Sequence, residues 1–135
     1  MSTAPNTIGL GWFSVPLTGV AATIGGAIAS IANPEGADII VTRALLYVKT
    51  NSTGAANLTI GVGTSATTDY SDMMTATAMA AAAGKIYTCS AYSASIATEV
   101  TAPGVWLAAE FCNVTGSATT AGLTGTLYVE YLRLT

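Results

Sequence analysis

Residues 33–54 read NPEGADIIVTRALLYVKTNSTG. Asn33-Pro34-Glu35-Gly36 has the residues of a tight turn, and Asn51 to Gly54 has them again. Between them, residues 37–50 are rich in β-branched and aromatic positions, so the stretch reads as one long strand. Residues 57–63 return with Leu58, Ile60 and Val62 on one face, which is a hairpin pattern. The long strand is apolar on both sides. Ile40, Thr42, Ala44, Leu46 and Val48 form an uncharged face suited to a core. Ile39, Val41, Arg43, Leu45, Tyr47 and Lys49 form the other. On an antiparallel sheet the face toward water is normally polar, so the second face is expected to be covered.

The same pattern recurs further along. In residues 105–112, read as one strand, Val105, Leu107, Ala109 and Phe111 oppose Trp106, Ala108, Glu110 and Cys112. In residues 123–134, Leu123, Leu127, Val129 and Tyr131 oppose Tyr128, Glu130, Leu132 and Leu134. Shorter strands are expected at 27–32, 85–89 and 95–100. Residues 64–84 carry the weakest signal. Ser71 or Asp72 suits a helix cap, Ala80 to Ala83 suit a helix and Gly84 suits its end. The expectation there is a loop with at most a turn or two of helix. Residues 1–26 read as an extended N-terminal arm or as a first strand, with Trp12 and Phe13 as its aromatic anchors. Residues 27–135 read as a single domain. The fold class is all-β, an antiparallel β-sandwich or jelly roll.

Composition narrows the function. Of 135 residues, 51% are hydrophobic and only 8% charged, against about a quarter charged in ordinary globular chains. Such a surface is poorly defended against association. Net charge is −3, and the four basic residues are Arg43, Lys49, Lys85 and Arg133. They are too few and too scattered to neutralise a run of phosphates, which argues against nucleic acid. Residues 1–34 hold no charged side chain, but Pro5, Pro16 and repeated Gly break the run, and no basic residue precedes it. A membrane span is therefore not expected. Cys89 and Cys112 are too few for a disulfide framework and read as reduced core residues or as one bridge. The sequons at Asn51, Asn57 and Asn113 read as chance products of an Asn- and Thr-rich chain.

Chemistry is scarce. The sequence has no His, so it lacks an imidazole acid, base or ligand and the usual nucleophile triads. Gly61-Val62-Gly63 follows a strand, as in a dinucleotide fingerprint, but no amphipathic helix follows to meet a pyrophosphate. The glycines read instead as a strand end. Asp69 and Asp72 fit turn formation and capping better than a calcium loop. Glu99, Glu110 and Glu130 show no spacing that pairs them as glycosidase acids. No catalytic residue, cofactor or metal is expected, and the chain reads as a non-enzyme.

The run ANPEGADIIVTRALLYVKTNSTGAANLTIGVGTSATTDYSD, with the closing AGLTGTLYVEYL at 121–132, resembles small β-rich structural proteins of tailed phages, the jelly-roll head decoration or cement proteins. The resemblance covers roughly residues 27–135. Where such proteins carry an apolar pair followed by Asp-Gly, this chain has Met73-Met74-Thr75-Ala76. The resemblance implies a protein made in the host cytoplasm and placed on the outer capsid surface of the virion. Its partners would be the major capsid protein and further copies of itself, often as a homotrimer at threefold positions. The alternative is a carbohydrate- or receptor-binding module of a tail or head fibre. The interface candidates are Trp12, Phe13, Ile39, Val41, Arg43, Leu45, Tyr47, Glu110 and Glu130. Arg43 is expected either to pair with Glu110 or Glu130 on a covered face, or to reach a partly wet surface along its stem.

Overall fold

Alternating Val, Ile, Leu, Thr and aromatic residues become strands along most of the chain. The computed structural model describes residues 9–89 and 105–134. It contains β1 (Leu10–Thr18), β2 (Ala29–Ala32), β3 (Ile39–Thr50), β4 (Asn57–Gly63), β5 (Met74–Ala78), β6 (Ile86–Thr88), β7 (Val105–Trp106), β8 (Phe111–Gly116) and β9 (Thr124–Arg133). Among the described residues there is no helix. Two antiparallel sheets pack into a β-sandwich. One has the order β1-β9-β3-β6 with β7 also on β3, and the other β2-β8-β4-β5.

Four pairings are nested in chain order: β1 with β9, β2 with β8, β3 with β6 and β4 with β5. The chain is thus a long antiparallel ribbon with its tip between β4 and β5. Two further pairings, β3 with β9 and β4 with β8, fold the ribbon against itself and make the two sheets. Of the two readings of residues 1–26, Leu10–Thr18 takes the second. It is a first strand, paired with β9 along its length.

The core is the space between the sheets. From the first sheet come Leu17, Ile39, Val41, Ala44, Leu46, Val48, Leu127, Val129 and Tyr131, and from the second Leu58, Ile60, Cys112 and Val114, all buried. Trp106 is fully enclosed beside them. Phe13 lies between Trp106, at 6.0 Å between ring centroids, and Tyr131, at 6.2 Å.

One irregularity overturns part of the sequence reading. Val41 pairs with Tyr131 and Arg43 with Glu130, so Thr42 is an extra residue on β3. This β-bulge shifts the alternation by one position. Before it, Ile39 and Val41 face the core, at 0% and 4% exposure. After it, Ala44, Leu46 and Val48 do so. Ile39 and Val41 therefore belong to the core, not to the second face where unbroken alternation puts them. Arg43, Leu45 and Tyr47 do point the other way.

Residues 105–112 are likewise not one strand. The chain turns between β7 and β8, where the Glu110 amide donates to Leu107 O at 3.0 Å and the Trp106 indole N–H to Glu110 O at 2.9 Å. The expected faces are inverted, with Trp106 and Cys112 inside and Leu107 exposed. β5 replaces the expected loop or helix at 74–78. After the buried Met74 its sequence TATA has only small side chains, and pairing to the edge of β4 overrides the helix preference of Ala. The strand expected at 95–100 lies outside the described residues.

The two outer faces differ. The second sheet closes its own. Asn113 and Thr115 on β8 point away from the core yet are buried, at 0% and 1%. The Asn113 amide donates to Ser65 O and Thr68 O, both at 2.8 Å, and its Oδ1 accepts from Ser30 Oγ at 2.7 Å. Thr115 Oγ1 accepts from the Gly26 amide at 3.0 Å. The Tyr70 ring lies so close over Gly63 that a β-carbon there would overlap it. The Gly61-Val62-Gly63 run thus admits a loop rather than a phosphate. Asn113 is also enclosed too completely to carry a glycan.

Asn113→Ala removes the donor from two part-buried carbonyls, Ser65 O and Thr68 O, at about 0.5–1.5 kcal/mol each. The expected loss is about 1–3 kcal/mol in urea unfolding, while Thr75→Ala on the exposed edge of β5 changes little. An unchanged midpoint for Asn113→Ala contradicts the hydrogen-bonded closure.

Candidate interaction surface

The outer face of the first sheet has no covering element among the described residues. β1 contributes every second residue from Leu10, so Leu10 and Trp12 point out while Gly11 and Phe13 point in. Trp12 is 72% exposed. The expectation that Trp12 and Phe13 act together as buried anchors is therefore split. Phe13 is a core ring, and Trp12 stands on the outer face. β9 adds Tyr128, Glu130 and Leu132, and β3 adds Arg43, Leu45 and Tyr47. Ile86 on β6 is also exposed. An open hollow of about 310 Å³ lies on this face, lined by Trp12, Arg43, Leu45, Tyr128, Val129 and Glu130.

Arg43 and Glu130 are register partners on adjacent strands. Both are exposed, and among the described residues no ion pair joins them; the pair found is Arg133–Glu35 at 3.9 Å. Glu130 Oε1 accepts instead from Thr42 Oγ1 at 2.9 Å, so the bulge residue holds the carboxylate. Glu110 is elsewhere. Its Oε2 accepts from the Leu107 amide at 2.9 Å, closing its own turn. The expected Arg43–Glu110 pairing is excluded by that position, and the Arg43–Glu130 pairing is an adjacency rather than a buried bridge.

Five of the nine interface candidates share this face: Trp12, Arg43, Leu45, Tyr47 and Glu130. Ile39, Val41 and Phe13 are core, and Glu110 is in a turn. Leu10, Ile86, Tyr128 and Leu132 are not among the candidates, and Ile40, expected on the core face, lies on this one because it precedes the bulge. The alternation of Leu10, Trp12 and Ser14 against Gly11, Phe13 and Val15 carried the signal for Leu10.

Several other reactive groups among the described residues are committed to structure. Asp69 accepts from Thr59 Oγ1, and Asp72 Oδ1 from the Val62 amide at 2.8 Å. Among the described residues no group of acidic and sulfur ligands is placed to hold a metal. The Ser65 amide donates to the Tyr70 hydroxyl at 3.1 Å and holds Tyr70 below the ordinary tyrosine range. Tyr131 donates to Glu35 Oε1 at 2.5 Å, and this bond raises its pKa to about 12. Cys89 and Cys112 are free, buried thiols. Burial pushes them up to about 11 and about 12. No helix among the described residues is long and apolar enough to cross a membrane.

No family model, curated protein or solved structure matches this chain.

Both thiols are protonated and enclosed, so a thiol reagent at pH 8 is expected to label neither quickly in buffer and both in denaturant. Fast labelling of the native chain contradicts this. The raised thiol and Tyr131 pKa values also set a pH dependence. The folded state keeps these protons after the unfolded chain would lose them, so their contribution is whole below about pH 9 and is lost as pH rises through 11–12. A melting temperature that holds steady or rises over that window would contradict the shifts.

Proposed function

We propose that this chain is a non-enzymatic structural protein of a virion, a decoration or cement protein that binds the outer surface of a phage head and stabilises it. One observation carries the reading. Among the described residues, a chain with 8% charged residues closes one outer face with its own loops, while the other stays uncovered and largely apolar. Exposed apolar patches of this kind mark protein contacts. Cementing needs no catalytic group. It needs many modest contacts between capsomers, whose strengths multiply through avidity.

The nested pairings support reading the sandwich as a jelly roll, in which first and last strands lie side by side. That agrees with the resemblance of residues 27–135 to phage head decoration proteins. On this proposal the partners are the major capsid protein and further copies of the chain in a closed oligomer, and the site of action is the capsid exterior. The resemblance implies a trimer at threefold positions.

One observation favours a second reading, a carbohydrate- or receptor-binding module. Trp12 stands beside a hollow that also holds Arg43 and Glu130, an aromatic surface with polar groups at its edge.

The test is to add purified protein to heads that lack it. Saturable binding and greater resistance to heat or osmotic shock are expected, both lost in a Leu45→Asp/Tyr128→Asp variant that still melts as a folded domain. No binding and no protection would contradict the proposal. Binding to cell-surface polysaccharide that Trp12→Ala abolishes would put the second reading in its place.

A further inference from the structure

We infer that the outer face of the first sheet is self-complementary and takes a second copy of this chain across a two-fold axis. This rests on the proposal that protein covers the face, and it specifies the covering protein and the symmetry. β3 and β9 run antiparallel at the middle of the sheet. Their outward residues pair in register: Ile40 with Leu132, Arg43 with Glu130, Leu45 with Tyr128. Let a second copy stack face to face, with the dyad in the plane between the sheets and parallel to these strands. The rotation then lays β3 of each copy over β9 of the other. Each outward residue of β3 meets, on the second copy, the residue that is its own register partner. Ile40 meets Leu132, Leu45 meets Tyr128 and Arg43 meets Glu130. Apolar rows lie on apolar rows and each charge on its opposite. Packed sheets are rotated by about 30°, and the rows nearest the dyad keep this match.

The charges favour a second copy over an unrelated cover. Arg43 has no ion-pair or hydrogen-bond partner among the described residues, and Glu130 has only the Thr42 hydroxyl and its own sheet. Covering this face with an apolar surface would bury both charges side by side without the formed ion pair that offsets their desolvation, which is costly. A second copy brings the counter-charge to each, twice over by symmetry. A cyclic trimer would instead need a different patch to receive this face. The other large exposed apolar side chains, such as Ile24 and Leu107, are scattered.

The area sets the strength. Three long strands and one short one, about 4.8 Å apart and about 3.3 Å per residue, give roughly 500 Å² of flat face per copy. Side-chain relief adds to that. The total lies near the lower bound of about 1,200 Å² for specific contacts, so the dimer dissociates on dilution. It would fit two-fold positions between capsomers.

The experiment is equilibrium sedimentation across a range of concentrations. The expected species is a reversible dimer of twice the 13.5 kDa chain mass. Arg43→Glu alone and Glu130→Arg alone each set like charges face to face and weaken the dimer at least about tenfold. Combined in one chain, the two substitutions restore it to near the original strength. Melting curves at high dilution confirm that each variant is folded. A chain that stays monomeric or forms a trimer overturns the inference, as do single variants that dimerise normally or a double variant that stays weak. If such a chain still protects heads, the dyad alone has failed. If a dimer forms but ignores heads, the cement reading has failed and the dyad stands.

Discussion

The register of β3 against β9, with Thr42 inserted as a bulge, decides which side chains of the central strand become core. Ile39 and Val41 on one side of Thr42, and Ala44, Leu46 and Val48 on the other, all point between the sheets. Without the extra residue, a strand alternating from Ile39 would put Arg43 in the core or Ile39 outside it. A one-residue shift moves every side chain to the other face. The bulge thus lets a twelve-residue strand bury apolar side chains at both ends while its middle presents a charge to the surface. The same residue holds the Glu130 carboxylate through its hydroxyl.

The two outer faces follow from what the adjoining loops can reach. On the second sheet, Gly61 and Gly63 leave room for Tyr70, and Asn113 ties down the backbone of the 65–68 loop. Polar groups that point away from the core are satisfied inside the molecule, as burial requires. The first sheet carries large side chains where the second has glycine and Asn. No described loop crosses them. That asymmetry leaves Trp12, Leu45 and Tyr128 on the surface, and it is the physical basis for reading this face as one that another protein covers.

Much of this was legible in the sequence because β-sheet periodicity is local. β2, β3, β4, β6 and β9 lie where alternation and turn residues put them. Asn33 makes its turn as its chemistry suggests, accepting from the amides of Glu35 and Gly36, and Gly36 takes the positive φ of 62° that the turn needs. The bulge was not legible, since neither Gly nor Pro marks Thr42. Its position depends on β9, more than eighty residues away. β5 was missed because its small residues carry no alternation of size. The break after Trp106 was missed for a similar reason, since Leu107-Ala108-Ala109 continues an apolar run and only the hydrogen bonds of Glu110 show the turn. Of the candidate site, the residues after the bulge were assigned to the correct face and those before it were not.

The most direct measurement is the reactivity of single cysteines placed at positions 41 and 45. Both have the same parity in the sequence, so in an unbroken strand they share a face. Val41→Cys and Leu45→Cys chains would be treated with a thiol reagent at sub-micromolar concentration, below dimer formation, and modification located by peptide mass. Rapid labelling is expected at 45 and protection at 41, with Cys89 and Cys112 also protected. Equal labelling at 41 and 45 would mean that the bulge is absent and that the outer face is not the one described.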